Sequence, residues 1–244
     1  MTTNAGAAVG VGDGAGKWLL GIDTGTTKIV VGAGRPDGSV IRVLDWPAGY
    51  RHGEQLLAGV EQLLAETGLS RRDIAGIVVG TGPGAFTGLR VGLATAKTMA
   101  HALGLPIAGV GTGEALLHAA RTMADPDGAA EAVAPVLLLP AGPRDRVVVR
   151  HGEAPRLIPG GSEMDEGDEH ALIAVDLAGR APEPAIRRGE CAREGLGAAL
   201  LAIGAERLRS GDSDDVDRLV PEYVTLPRGI RAATGEIAWS RDPR

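Results

Sequence analysis

Cysteine and aromatic residues are the scarcest groups in this chain of 244 residues. The one cysteine, Cys191, cannot form an internal disulfide, and the sequence around it holds no cluster of metal ligands. We interpret it as a small helix residue, and its isolation fits a reducing, cytoplasmic setting. With one phenylalanine, two tyrosines and three tryptophans, the chain must build its interior from Val, Leu, Ile and Ala.

Basic charge and long apolar runs are also limited. Lys and Arg total 25 against 31 Asp and Glu, which gives a net charge of -6 at pH 7. Affinity for a phosphate backbone comes from basic side chains that displace counterions, so we expect another subunit to hold any RNA. No apolar run reaches the ~18 to 20 residues of a membrane span, and the first basic residue, Lys17, comes too late for a secretory signal. We therefore expect no membrane contact.

The pattern of apolar runs predicts two halves of alternating strands and helices. Residues 1–16 are rich in Gly and Ala and are expected to form a disordered leader. The first half, 17–124, predicts the order β-β-β-α-β-α-β-α. Its predicted strands are 19–22, 28–34, 40–44, 75–80 and 106–110, and its helices run from about 56 to 68, 88 to 103 and 112 to 123.

A loop of Pro, Asp and Gly at 125–128 predicts the boundary to a second half, 125–228. Three short strands are predicted there, at 136–139, 146–149 and 156–158, followed by one helix from about 191 to 208. Two acidic stretches, 163–169 and 211–217, are expected to be solvated surface. Residues 229–244 are expected to form a flexible tail.

The most informative motif is Gly82-Pro83-Gly84, which follows an apolar strand and opens a helix. Proline fixes its own φ, and the flanking glycines permit backbone angles closed to other residues. By itself the motif predicts a sharp structural turn between a strand and a helix. The longer run GPGAFTGLRVGLATAK, from Gly82 to Lys97, is far more specific.

That run and its continuation to Leu116 resemble the TsaB (YeaZ) family of tRNA threonylcarbamoyladenosine proteins. The stretches 21–27, 51–56 and 221–224 resemble further family motifs in the same order. The resemblance spans residues 18 to about 228 and is weak between 120 and 220.

This resemblance implies an α/β fold of the actin-like ATPase class, with two ribonuclease-H-like halves of which the second is reduced. It also implies a noncatalytic subunit of the tRNA N6-adenosine(37) threonylcarbamoyltransferase complex. The implied partners are a TsaD-like catalytic subunit, a TsaE-like ATPase in the larger complex, and tRNA only through the complex. For the free chain, a homodimer and a monomer both stay open. No cofactor is expected in the isolated chain, while ATP or ADP at or near the partner interface stays open.

The segment Asp23-Thr24-Gly25-Thr26-Thr27 matches the phosphate loop of the actin-like superfamily, in which backbone N–H groups and hydroxyls cradle phosphate. Two interpretations stay open: a structural remnant and a working phosphate loop. A nucleotide clamp of this class needs an acid in the second half, where Ala141 stands, and this favours the remnant. A self-sufficient actin-like ATPase or kinase is the alternative function. A peptidase has no support, since no HExxH motif or nucleophile elbow is present.

No catalytic residue and no metal ligand are predicted. The catalytic relatives of the family carry a metal-binding His-x-x-x-His, and here Thr112 and Leu116 stand at the corresponding positions. The five histidines are dispersed along the chain, and none is paired with a second His or a Cys at ligand spacing.

A stripe of small residues recurs every four positions along the helix that follows the Gly-Pro-Gly turn. It can pack on the protein's own sheet or receive the helix of a partner, and the resemblance favours the second interpretation. The predicted partner interface consists of Gly88, Leu89, Gly92, Leu93, Ala96 and Ala100.

Overall fold

The computed structural model describes residues 16–48, 52–122, 134–161 and 171–224. Most of the predicted leader, the boundary loop at 125–128, the acidic stretch at 163–169 and the tail at 229–244 lie outside these residues. None of the helices in the described ranges combines the length and apolar character needed to cross a membrane.

The first half forms a five-stranded mixed sheet with three helices, and its predicted order is confirmed. The strands lie in the order β3-β2-β1-β4-β5; β1 pairs in parallel with β4, and β4 with β5. The other two pairings are antiparallel. The elements are β1 (Trp18–Asp23), β2 (Lys28–Gly34), β3 (Val40–Pro47), α1 (His52–Thr67), β4 (Ile74–Gly82), α2 (Phe86–Leu103), β5 (Ile107–Gly111) and α3 (Thr112–Thr122).

The second half forms a four-stranded sheet in the order β8-β7-β6-β9 and ends in two helices. Its three predicted strands are confirmed, whereas β9, which pairs in parallel with β6, was not predicted because three residues are too few to show a periodicity. The elements are β6 (Val136–Ala141), β7 (Asp145–Val149), β8 (Arg156–Ile158), β9 (Leu172–Ala174), α4 (Glu183–Glu194) and α5 (Leu196–Arg209).

The prediction of a single helix from about 191 to 208 is wrong. Two helices meet at Gly195, and the first begins next to Pro182, eight residues before the predicted start. Proline is favoured where a helix begins, because it has no N–H to leave unpaired. The residues of α4 are mostly polar, so the spacing of apolar residues did not predict this start.

Side chains of β1 point alternately into two cores on opposite faces of the first sheet. Leu20 and Ile22 join a core formed with α1 and α2, whereas Leu19 joins a core formed with α3, α5 and the second sheet. The helix α5 thus packs on the first sheet, although it follows the second sheet along the chain. The side chain of Leu201 lies 3.0 Å from the positions where Cβ atoms on Gly21 and Gly32 would stand.

Residues 211–224, here called the strap, run from the end of α5 back to the first sheet. The carboxylate of Asp214 accepts a hydrogen bond from the backbone N–H of Gly109 at 2.6 Å and forms an ion pair with Arg207 at 3.0 Å. The backbone N–H of Glu222 donates to the carbonyl of Thr81 at 2.8 Å. The prediction of a solvated acidic surface at 211–217 is therefore wrong for Asp214, which binds the edge of the sheet.

We predict that Gly204→Ala destabilises the protein, because a Cβ at this position of α5 would overlap the side chain of Val78 in β4. The expected loss in the free energy of unfolding is about 1 to 3 kcal/mol, which is typical of overpacking. Urea denaturation measures it. Gly53→Ala in α1 is the matched control, because the space around Gly53 is open and alanine favours a helix. Equal stability of both variants and the unmodified protein would contradict this packing.

Candidate functional site

The DTGTT loop, residues 23–27, joins β1 to β2 and rests directly on the Gly-Pro-Gly turn. The backbone N–H of Ala85 donates to the carbonyl of Gly25 at 2.8 Å. A Cβ on Gly84 would overlap that same carbonyl, and Gly82 has a φ of 110°, in the region that favours glycine. The two motifs that the sequence singled out therefore form one structural unit.

Asp23 is fully buried at the end of β1. One carboxylate oxygen accepts a hydrogen bond from the backbone N–H of Gly25 at 2.8 Å, and the other accepts from the hydroxyl of Thr112 at 2.7 Å. The same hydroxyl accepts from the backbone N–H of Gly82 at 3.1 Å. Asp23 thereby connects the DTGTT loop to the end of β4 and to the first residue of α3.

Burial raises the pKa of Asp23 from 3.8 to about 6, because the ionised form loses the solvation it has in water. Hydrogen bonds from Thr112 and Gly25 oppose this rise without cancelling it. A Cβ on Gly80 would overlap the Asp23 carboxylate, so β4 covers this group closely. Asp23 is packed as an interior residue.

The small-residue stripe of α2 lies against the chain itself. The hydroxyl of Thr24 donates to the carbonyl of Gly88 at 2.8 Å, and a Cβ on Gly92 would overlap that hydroxyl. Ala96 and Ala100 are buried against the first sheet. The chain's own loop and sheet cover all six residues of the predicted partner interface in this structure: Gly88, Leu89, Gly92, Leu93, Ala96 and Ala100.

The last two residues of the DTGTT loop make different contacts. Thr26 forms a local hydrogen bond with the backbone of Lys28. Thr27 reaches the second half: its backbone N–H and its hydroxyl donate to the two carboxylate oxygens of Asp176, at 2.7 and 2.5 Å. Sequence reasoning missed Asp176, because no local pattern relates positions 149 residues apart.

In the hairpin between β6 and β7, where a nucleotide clamp would need an acid, the residues contact one another and the neighbouring turn. Ala141 ends β6 and pairs with Asp145, the first residue of β7. The carboxylate of Asp145 accepts a hydrogen bond from the backbone N–H of Gly160 at 2.8 Å, so this acid is used in joining two turns.

The two positions at which the family resemblance suggested a comparison with metal ligands are both interior. Thr112 binds Asp23, and Leu116 lies in the core between the sheets. Within the described ranges, no group of three or more His, Cys, Asp or Glu side chains is arranged to hold a metal ion.

A cavity of about 330 Å³ lies between the Gly-Pro-Gly turn, the start of α3, the β7–β8 connection and the strap. Its lining includes Glu114, Glu153, Glu222, Arg150 and His151. Partial burial raises the pKa of Glu222. The three carboxyl groups outnumber the one guanidinium of the lining, and an excess of negative charge disfavours the phosphate groups of a nucleotide, because like charges repel.

Sequence reasoning also missed an aromatic cluster at the start of α2. The guanidinium of Arg90 lies 3.8 Å from the centroid of the Phe86 ring, and its Nε donates to the hydroxyl of Tyr223 at 2.9 Å. The two rings are 5.0 Å apart. This cluster fixes the end of the strap on α2, beside the turn.

Comparison with known proteins gave both sequence and structural matches. The family model of TsaD, tRNA N6-adenosine threonylcarbamoyltransferase, matches residues 47–213. An uncharacterized protein of Mycobacterium tuberculosis is 41% identical over 93 residues, which are 38% of this chain and 44% of that protein. The tRNA threonylcarbamoyladenosine biosynthesis protein TsaB of Bacillus subtilis is 32% identical over 98 residues, 40% of this chain and 42% of that protein.

The solved structure of YeaZ from Pseudomonas aeruginosa superimposes with a TM-score of 0.60 at 21% identity, over 85% of this chain and 99% of that one. This match and the two mixed sheets confirm the predicted α/β fold of the actin-like class. The sequence alignments, in contrast, span less than half the length of the curated relatives.

We predict that Asp23→Asn removes a pH dependence of stability. A carboxyl group whose pKa is raised by folding stabilises the protein below about pH 4, and this contribution is lost as the pH rises through about 6. At 1.36 kcal/mol per pKa unit, the difference in unfolding free energy between the variant and the unmodified protein should change by about 3 kcal/mol between pH 4 and 7, in favour of the variant.

Denaturant titrations at several pH values measure this difference. Asp37→Asn is the control, because hydrogen bonds from Ser39 lower the pKa of that exposed carboxyl group and its loss should act in the opposite direction. A constant difference between the Asp23 variant and the unmodified protein would show that the buried carboxyl group does not titrate in this range.

We predict that Ala96→Leu lowers the stability of the isolated protein by about 1 to 3 kcal/mol, because the added methylenes enter a filled core. Ala94→Leu, on the exposed side of α2, should change it by no more than ~0.5 kcal/mol. Thermal and urea unfolding of the two variants provide the comparison. Unchanged stability of Ala96→Leu would instead support the interpretation of the stripe as an exposed interface.

Proposed function

The chain belongs to the TsaB (YeaZ) family, and from this premise we propose that it is a noncatalytic partner subunit in the formation of N6-threonylcarbamoyladenosine at position 37 of tRNA. In this role it binds a TsaD-like catalytic subunit, and a TsaE-like ATPase joins the larger complex. The assembly, rather than this chain alone, holds the tRNA.

The observation that carries the noncatalytic role is the occupation of the DTGTT loop by the chain's own groups. Both oxygens of Asp23 accept hydrogen bonds, and Thr27 donates to Asp176. A nucleotide phosphate would have to displace these contacts before it met the loop. This arrangement supports a scaffold over the alternative of a self-sufficient ATPase or kinase.

Charge supports the indirect handling of tRNA. The chain carries a net charge of -6, and the cavity beside the Gly-Pro-Gly turn is lined by Glu114, Glu153 and Glu222. Neither feature attracts a phosphate backbone. A partner with basic residues would supply that attraction in the complex.

The outer face of α1 and α2 is the surface that we propose for the TsaD-like subunit. The two helices are neighbours on one face of the first sheet, and their inner sides are buried in the core. Leu57 on α1 is 54% exposed, and Ala94 and Thr98 on α2 are exposed as well. A homodimer of the free chain would use the same face, so the partner and a second copy would compete for it.

We predict that Leu57→Asp weakens binding to the TsaD-like subunit of the same organism by tenfold or more, because it places a charge at the proposed contact. The unmodified chain should form a one-to-one complex in size-exclusion chromatography, and isothermal titration gives the affinities. Val40→Asp is the matched control, since Val40 is 45% exposed and lies on the edge strand β3 rather than on either helix.

The melting temperatures of both variants should equal that of the unmodified chain, which separates loss of binding from loss of fold. Equal affinities of Leu57→Asp and Val40→Asp would exclude this face as the contact. Magnesium-dependent ATP hydrolysis by the isolated chain that disappears in Asp23→Asn would contradict the noncatalytic role itself.

A further inference from the structure

Asp176 follows the last strand of the second sheet, yet its carboxylate accepts hydrogen bonds from the DTGTT loop of the first half. It follows β9 by two residues, and its side chain is only 4% exposed. Two donors come from Thr27, in the loop between β1 and β2 of the first sheet: the backbone N–H at 2.7 Å and the hydroxyl at 2.5 Å. One carboxylate thus joins residues from two separate sheets.

A cation completes the surroundings of this carboxylate. The guanidinium of Arg193 on α4 donates to one of its oxygens at 2.9 Å. The Nε of Arg193 is also buried, and it has no hydrogen-bond partner among the described residues. The site therefore contains three donors that bind the carboxylate and a fourth that the carboxylate leaves unused.

The backbone at Asp176 is held in an uncommon conformation. Its φ of 58° makes it the one non-glycine residue with positive φ in the described part of the chain. Arg180 holds the adjoining turn by donating to the carbonyls of Gly142 and Pro143 at 3.0 and 3.1 Å. Such conformations persist where surrounding contacts fix them, and they concentrate at sites that do more than fill space.

A backbone N–H, a hydroxyl and a guanidinium are the donors with which proteins bind carboxylate and phosphate alike. We propose that Thr27 and Arg193 form an anion-binding site whose resident anion is the carboxylate of Asp176. This internal anion connects the two sheets and keeps inorganic phosphate and similar anions out of the DTGTT loop. Thr27, Asp176 and Arg193 lie outside the face of α1 and α2 that we propose for the partner subunit. The anion site and the partner-binding proposal can therefore fail separately.

Asp176→Gly is the sharpest test, because glycine adopts a φ of 58° without strain and only the carboxylate is lost. The melting temperature of this variant should fall below that of the unmodified chain. Inorganic phosphate, compared with chloride at equal ionic strength, should then raise it by about 2 °C or more, because a ligand that binds only the folded state stabilises it. The unmodified chain should show no such phosphate effect.

Two further variants assign the effect to the site. Asp45→Asn removes a carboxylate that pairs with Lys28 at 2.7 Å within the first sheet, and it should show no response to phosphate. Thr27→Val in the Asp176→Gly background removes one of the donors, and it should reduce the phosphate response.

Asp176→Asn covers the case in which the glycine variant does not fold. Asparagine tolerates positive φ and keeps the shape of the side chain while it removes the charge. Amide hydrogen exchange at Thr27 should be faster in this variant than in the unmodified chain, because its N–H loses a charged acceptor. Unchanged exchange at Thr27, or an equal phosphate response in Asp176→Gly and the unmodified chain, would overturn the proposal.

Discussion

The buried carboxyl group of Asp23 is the constraint on which the centre of this structure depends. A fully buried acid is stable only where donors meet both of its oxygens, and here the donors come from Gly25 and Thr112. Gly80 must lack a side chain to admit the carboxyl group, and Thr112 must begin α3 where its hydroxyl also meets Gly82. The burial of Asp23 therefore requires a glycine at position 80 and a hydroxyl group at position 112.

The same geometry gives the DTGTT loop internal contacts, although its sequence matches a phosphate loop. In this chain the loop instead binds α2 through Thr24 and the second half through Thr27. A loop that resembles a ligand site thus acts as an internal joint, which suits a protein whose proposed task is to bind another subunit.

Local sequence patterns predicted most of the first half, because most of its strands are apolar runs and α1 and α2 are each followed by a glycine. They did not predict β9 or the junction at Gly195, where elements are short or polar. Periodicity correctly grouped the small residues of α2 on one side. It could not say what covers that side, since the answer lies in Thr24, 64 residues before Gly88. Contacts over such distances, including that between Thr27 and Asp176, carry no local signal.

The strap also covers part of an edge of the first sheet. β5 is an edge strand of the first sheet, and an open edge presents unpaired N–H and carbonyl groups to the edges of other molecules. Asp214 bridges to Ile107 and caps the N–H of Gly109, while Arg207 binds the Gly109 carbonyl. One backbone hydrogen bond and two side chains thus occupy the edge at Ile107 and Gly109, where no further strand pairs. In the folded chain these groups are therefore not open to pairing with a strand of another copy.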